Sequence, residues 1–358
     1  MKLSKSLVAL AIGATALAGH VHASLTFGSG FGGNVYHTHS TTDRVTSFDW
    51  AGGDFYTMTS AGFPDVNVWR HTGFGTTNIH AQPSNFAGSS VIAIGDYLYF
   101  NDSTSDDQNI WKFGPLSGTP AAILTSTTAN SGLYSDGSDL FIAGAMGFGT
   151  NEVFHSTLNS SGELVSDPAT SLGTTFGSSG PLAFDGAGNL FYAPGFGDTR
   201  IFRWTAAQVQ AAIADPVADP LPTTGVEWYD YSSDFNVSGA TGMVVDAAGN
   251  LVVSLTDFSN PSFLVTFGVD LFGAYGGHTQ IATSTNRLGD VRFHEGSIYF
   301  AYDNEVFQVI PEPAHFAFGG GLLALLLVVY RRQKNRRIAS GRQGHGPGGV
   351  GRVPVARG

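Results

Sequence analysis

Between residues 24 and 310 apolar positions come in short bursts, not at helical spacing, and each burst follows a turn-forming Gly, Asp or Asn. The first kind of burst reads WAGGDFYTM around Phe55, AIGDYLYF around Leu98, SDGSDLFIA around Leu140, FDGAGNLFYA around Leu190, VDAAGNLVVS around Leu251 and FHEGSIYFA around Ile298. A turn followed by three or four β-prone residues predicts a hairpin feeding a strand. A second burst follows each of the first: VNVWRH, NIWKF, EVFHS, RIFRW, SFLVTF and EVFQVI. From each reference residue to the aromatic or leucine of the second burst the spacing is 14, 13, 14, 12, 13 and 9 residues.

The reference positions themselves recur after 43, 42, 50, 61 and 47 residues. Four-stranded blades of a β-propeller repeat every ~40 to 50 residues. The expected fold is therefore all-β, a six-bladed β-propeller over 24–310, with repeats near 49–71, 94–113, 135–158, 182–204, 243–267 and 291–310. A β-sandwich of the same strand count is the alternative, although sandwiches seldom repeat two successive strand motifs at fixed separation. The 61-residue interval holds TAAQVQAAIADP, where Thr205 is placed to N-cap a short helix that ends before Pro216, an insertion between blades. An open ring would leave strand edges bare. NVYHT, Asn34 to Thr38, is expected to close it by pairing with the last blade, and GSGFGG at Gly28 to Gly33 is read as a flexible lead-in. The D-x-x-G-N-L turns at Asp185 and Asp246 resemble those of NHL-type and YncE-like propellers. That resemblance implies an architecture and no particular activity.

Both ends of the chain read as addressing segments. MKLSKSLVALAIGATALAGHVHA carries Lys2 and Lys5, an apolar stretch from Leu7 to Ala18, and small residues before Ser24. This order predicts a signal peptide over 1–23, cut by signal peptidase after Ala23, with Ala18 as the rival site. Near the other end, Phe316 to Tyr330 form a fifteen-residue apolar run. As a helix it covers about 22 Å, against a hydrocarbon core of about 30 Å. The basic residues Arg331, Arg332, Lys334, Arg336 and Arg337 would hold its far end in the cytoplasm and leave the large domain outside. Pro311-Glu312-Pro313, the short apolar helix and the arginines beginning with Arg331 and Arg332 resemble the PEP-CTERM sorting signal of exported proteins in Gram-negative bacteria. The resemblance implies processing of residues 311–337 by an exosortase, an integral membrane cysteine protease. It also implies an inner-membrane-anchored precursor whose product is displayed at the cell surface or in an extracellular polysaccharide matrix. Residues 338–358 run past the point where that family usually stops and read as a disordered basic tail. An ordinary single-span anchor is the alternative for this segment.

Removing the ends sharpens the charge. Two of the 17 basic residues lie in the leader and eight beyond Tyr330, which leaves seven against all 28 acidic residues, a formal net of −21 for the part between. Phosphate binding needs a basic face, so nucleic acid is excluded as a partner. With no cysteine, the domain has neither a disulfide nor a thiol nucleophile, and its core is expected to be aromatic, given the chain's 27 Phe, 12 Tyr and 5 Trp.

Candidate chemistry is sparse. NDSTSDDQN gathers Asp102, Asp106 and Asp107 on a predicted loop, an oxygen-rich supply suited to calcium, but without the glycine and closing glutamate of an EF-hand. No other cofactor is expected. His37 and His39 alternate with Thr38, so a strand would turn both imidazoles to one side; no third ligand can be placed from sequence. GSGFGG lacks the strand and helix a dinucleotide fingerprint needs, and no G-x-S-x-G elbow is present. The leading expectation is a non-enzymatic surface or matrix protein whose propeller binds carbohydrate or protein. The alternatives are an extracellular enzyme (a metal-assisted lactonase, another hydrolase or a glycan lyase) and a passive matrix component.

Overall fold

A computed structural model describes residues 25–60, 65–83, 90–103, 108–114, 118–124, 128–145, 150–165, 169–257 and 261–312. The chain divides into two compact units, Met1–Ile310 and Pro311–Gly358. The signal peptide, the apolar run and the basic tail of the sequence reading lie outside the described residues.

The first unit is a six-bladed β-propeller with one short helix. The N-terminal stretch supplies β1 (Leu25–Phe27) and β2 (Phe31–Thr38). Blade 1 is β3 (Arg44–Ala51), β4 (Asp54–Ser60), β5 (Asp65–Thr72) and β6 (Gly75–Pro83). Blade 2 is β7 (Val91–Ile94), β8 (Tyr97–Ser103), β9 (Gln108–Phe113) and β10 (Ala121–Leu124). Blade 3 is β11 (Thr128–Ser135), β12 (Asp139–Ala145), β13 (Asn151–Thr157) and β14 (Thr170–Thr174). In blade 4, β15 (Leu182–Phe184), β16 (Leu190–Tyr192) and β17 (Arg200–Trp204) precede helix α1 (Ala206–Ala214) and β18 (Glu227–Asp230). Blade 5 is β19 (Ala240–Val245), β20 (Leu251–Leu255), β21 (Ser262–Val269) and β22 (Tyr275–Ser284). Blade 6 has only β23 (Leu288–His294), β24 (Ser297–Tyr302) and β25 (Glu305–Pro311) from its own stretch.

The N-terminus completes it. β2 is the fourth strand of blade 6, beside β25, and β1 adds a fifth strand to blade 5, beside β22. The innermost strands β3, β7, β11, β15, β19 and β23 touch in sequence, and β23 meets β3 to close the ring. GSGFGG is not a loose lead-in: Gly28 donates its N–H to the Ile281 carbonyl at 2.8 Å, and Ser29–Gly30 turn the chain from β1 into β2. A Cβ on Gly28 would sit 2.3 Å from the Gln280 oxygen, so the residue is small because the backbones meet there.

The recurring bursts fall on the second and third strands of each blade. The D-x-x-G-N turns explain themselves: Asp185 Oδ1 accepts the N–H groups of Ala187 and Asn189 at 2.9 Å each, the Asn189 amide donates to Oδ2 at 2.7 Å, and Gly188 takes φ +82°. Asp246, Ala248, Gly249 and Asn250 repeat the arrangement. Helix α1 is an insertion within blade 4, between its third and fourth strands, and not between blades as expected from the long interval. It begins where Thr205 and Gln208 form a capping box, and its buried Val209 and Ala212 pack against the cluster shared by blades 3 and 4.

Each blade packs its faces on both neighbours, so the cores lie between blades. Tyr56, Met58, Val66 and Val68 of blade 1 meet Val91, Leu98 and Phe100 of blade 2. Phe191 and Ile201 of blade 4 meet Leu251, Val253 and Phe267 of blade 5. At the closing seam, Val45, Phe48 and Phe55 meet Tyr299, Ala301 and Val306.

Candidate functional site

Among the described residues, three groups of polar and aromatic side chains join neighbouring blades: at the axis, at the seam between blades 6 and 1, and at the rim between blades 4 and 5.

At the axis, Asp290 and Arg292 stand two apart on β23 and therefore share a face. The buried Asp290 carboxylate accepts from the Ser47 hydroxyl at 2.5 Å and the Val291 N–H at 2.8 Å, and pairs with Arg292 at 2.6 Å. Arg292 donates in turn to the carbonyls of Phe48 (3.2 Å) and Val91 (2.7 Å). Ser47 Oγ accepts the Val91 N–H at 2.9 Å, and Asp49 Oδ2 the Ala93 N–H at 2.8 Å. One network thus stitches blades 6, 1 and 2. Burial pushes the Asp290 carboxyl up to about 6 against the pull of Arg292, and burial also raises Asp49. Elsewhere the axis is lined by Leu133, Leu182, Met243 and Thr241, whose hydroxyl donates to the Leu288 and Gly289 carbonyls at 3.0 and 3.1 Å. These side chains hold neighbouring blades together.

At the seam, His37 on β2 and His39 just beyond it do lie on one side, and the structure brings His71 from β5 to them. Ring centroids are 4.1 Å apart for His37–His71, 5.7 Å for His39–His71 and 6.4 Å for His37–His39. His71 is held by the hydroxyls of Thr57 (2.9 Å) and Thr76 (3.0 Å), and His39 Nδ1 by Thr41 (3.0 Å). Among the described residues no three His, Cys, Asp or Glu side chains are arranged to hold a metal ion. Burial, then the positive charge of their neighbours, would oppose protonation: His37 falls to about 4 and His71 to about 3. Burial lowers His39 too, partly offset by Asp43.

The pH dependence follows. The unfolded chain protonates these imidazoles first, near their ordinary 6.5, so their contribution to stability is complete above that pH and is lost as the pH falls toward 4. Asp290 and Asp49 run the other way, gaining as the pH drops. A His37→Asn/His71→Asn variant should therefore show a shallower fall, or a rise, in melting temperature between pH 6.5 and 4 than the parent. Parallel curves in scanning calorimetry would contradict the assignment.

At the rim, Tyr229 of β18 stacks on Tyr275 of β22 with centroids 3.9 Å apart and planes 19° from parallel. Trp228 meets Tyr275 edge-on and donates its Nε1–H to the Gly273 carbonyl at 2.8 Å. The Tyr229 hydroxyl donates to Asp234, and the Tyr275 hydroxyl lies 2.6 Å from His278 Nδ1. The buried Phe235 and Phe267 form the floor, Asp234 and His278 are exposed, and both tyrosines are half-buried. The Tyr229 hydrogen bond holds the Asp234 carboxyl below its usual range, so it stays an acceptor.

Of the residues singled out from sequence, Asp102 stands on β8 opposite Asn109, while Asp106 and Asp107 lie outside the described residues. Pro311 ends β25 and Glu312 follows it, exposed; Pro313, Arg331 and Arg332 also lie outside. Sequence reasoning missed the axial pair, although two opposite charges at i and i+2 in the strand LGDVRFH were a signal. It missed the rim because Tyr229 and Tyr275 belong to different blades.

No family model matches the chain, and no curated protein matches it. Solved structures do. An oxidoreductase (glucose dehydrogenase) from Thermus thermophilus is 12% identical, with a TM-score of 0.54 over 78% of this chain and 100% of its own. The PQQ-bound aldose sugar dehydrogenase of Streptomyces coelicolor is 12% identical, TM-score 0.51, over 80% and 100%. Regucalcin, a calcium-binding protein from Agrobacterium tumefaciens, is 15% identical, TM-score 0.51, over 79% and 94%. The likeness is one of fold alone. None of the three carries a residue role over to this propeller. Among the described residues no helix is long and apolar enough to cross a membrane.

Proposed function

We propose that this chain is an exported propeller that binds carbohydrate, held at the membrane by its PEP-CTERM-like segment before display at the surface or in a polysaccharide matrix. The observation that carries the binding role is the rim cluster: an aromatic stack over an apolar floor, flanked by an exposed carboxylate and an exposed imidazole. Sugars present C–H faces to aromatic rings and hydroxyls to such flanks, and the Tyr229–Tyr275 pair supplies both kinds of contact side by side. The axis supports the same reading, because its ionised groups are already engaged with neighbouring blades.

The signal peptide, the Pro311-Glu312-Pro313 motif and the basic cluster motivate the export part. Native affinity gels containing dextran, cellulose derivatives or alginate test the binding part. The protein should be retarded by at least one polysaccharide, and Tyr275→Ala should weaken that retardation about tenfold, equivalent to ~1.4 kcal/mol, with its circular dichroism unchanged. Retardation by none, or equal retardation of the variant, would remove the rim from consideration, and measured hydrolase or lyase activity in the purified domain would sink the non-enzymatic reading.

A further inference from the structure

Successive strands of a blade run antiparallel, so first-to-second turns and third-to-fourth connections emerge on one face of the propeller. The links between blades and the second-to-third loops emerge on the other. Seven large apolar side chains stand most exposed among the described residues: Tyr36, Phe74, Val165, Phe196, Val217, Leu271 and Phe272. Five of them sit on third-to-fourth connections, and so on one face. Phe74 tips the β5–β6 turn of blade 1, Val165 follows β13 in blade 3, Val217 follows α1 in blade 4, and Leu271 and Phe272 tip the β21–β22 turn of blade 5. Their exposures are 104, 66, 91, 100 and 90%.

Two of these tips are held stiffly. Asp270 Oδ1 accepts the N–H groups of Phe272 and Ala274 at 2.8 Å each, and Gly273 at φ +79° completes the turn. In blade 1, Thr72 Oγ1 accepts the Phe74 N–H at 3.1 Å and donates to the Gly75 carbonyl at 3.2 Å. Folding alone gives no reason to fix leucine and phenylalanine outward on rigid turns.

The chain leaves the domain on the same face. β25 is a third strand, so its end at Pro311 emerges beside those tips. Five residues farther on, at Phe316, the fifteen-residue apolar run begins. Five extended residues reach at most about 18 Å. If the run enters a bilayer, this face is the one drawn against it.

We infer that the face bearing Phe74, Val217, Leu271 and Phe272 is a lipid-contact surface whose apolar tips enter the headgroup boundary while the chain is anchored. The inference rests on the anchoring segment proposed above. The face also bears the turn carboxylates Asp136, Asp185, Asp246 and Asp270. The fitting surface is therefore zwitterionic, and anionic lipid should weaken contact.

The chain has no cysteine, so single substitutions can be labelled without background. Phe74→Cys, Val217→Cys and Leu271→Cys, with Phe196→Cys on the opposite face as control, would each carry an environment-sensitive nitrobenzoxadiazole dye in the full chain. In phosphatidylcholine vesicles the first three should show blue-shifted emission and quenching by brominated lipid, Phe196→Cys neither, and added phosphatidylglycerol should reduce the shifts. Co-flotation with all four dyes in a watery environment would keep the anchor and overturn the face. Equal shifts at all four would overturn the face as well. Failure of the full chain to co-float would overturn both.

Discussion

A domain of residues 39–310 is expected to lose its cooperative unfolding transition and to run as oligomers in gel filtration, whereas one of residues 25–310 should unfold sharply as a monomer. The deleted stretch is β1 and β2, which complete blades 5 and 6. It takes with it Leu25, buried among Val252, Leu264 and Ile281, and Phe27, Phe31 and Val35, packed against the same cluster. Full burial of such a side chain is worth ~1.5 to 3 kcal/mol, and with Leu25 buried and the other three half-buried the loss is about 4 to 8 kcal/mol. That is comparable with the whole stability of an ordinary domain, about 5 to 15 kcal/mol. The deletion also bares the long edges of β25 and β22, which invites strand addition from other molecules. A peptide of residues 25–39 supplied in trans should restore the monomer. A truncated chain that stays monomeric and melts cooperatively would mean the ring does not depend on its N-terminal strands.

The second large effect is expected at the axis. Arg292→Met removes the partner of a buried carboxylate and the donor to two carbonyls in blades 1 and 2. Breaking a buried ion pair on one side costs about 3 to 5 kcal/mol, because the other charge is left uncompensated. Urea unfolding should show that loss at pH 7. The sign with pH is distinctive: without Arg292 the Asp290 carboxyl is driven above its present value of about 6, and lowering the pH neutralises it in the folded state first. The deficit against the parent should shrink between pH 7 and 5. Asp290→Asn/Arg292→Met should recover part of the loss at pH 7, since no buried charge remains. A variant as unstable at pH 5 as at pH 7 would show that the lost carbonyl hydrogen bonds, not the stranded charge, dominate.

The sequence was legible where a strand is covered on both sides. The second and third strands of a blade pack on two neighbouring blades, so β12 reads DLFIAGA and β20 LVVSL, buried along nearly their full length. Those are the bursts that recur. Outer strands such as β14 and β18 are mostly exposed or half-buried, and TSLGT and EWYD bear no common signature. Inner strands were hidden differently. Close approach of backbones at the axis selects small residues, as at Gly242, where a Cβ would lie 2.4 Å from the Val291 nitrogen. The alternation of His37 and His39 correctly placed two imidazoles on one side. His71 could not be paired with them, because only closure of the ring brings blade 1 against β2. The rim cluster is likewise a product of two blades meeting, with its two tyrosines 46 positions apart.

Pairing of β2 with β25 also sets a clock. Thr38 donates to Glu305 across 267 residues of chain. Closing a loop of that length costs about 5 kcal/mol of chain entropy beyond a constant term. Contacts so distant in sequence form late. Of the two N-terminal strands, β1 finds its partner when β22 is made, but β2 must wait, unpaired, for the last strand of the ring, so the domain cannot finish folding until Pro311 has been made. A machine that threads unfolded chains across a membrane would find this one still open for almost the whole of its synthesis.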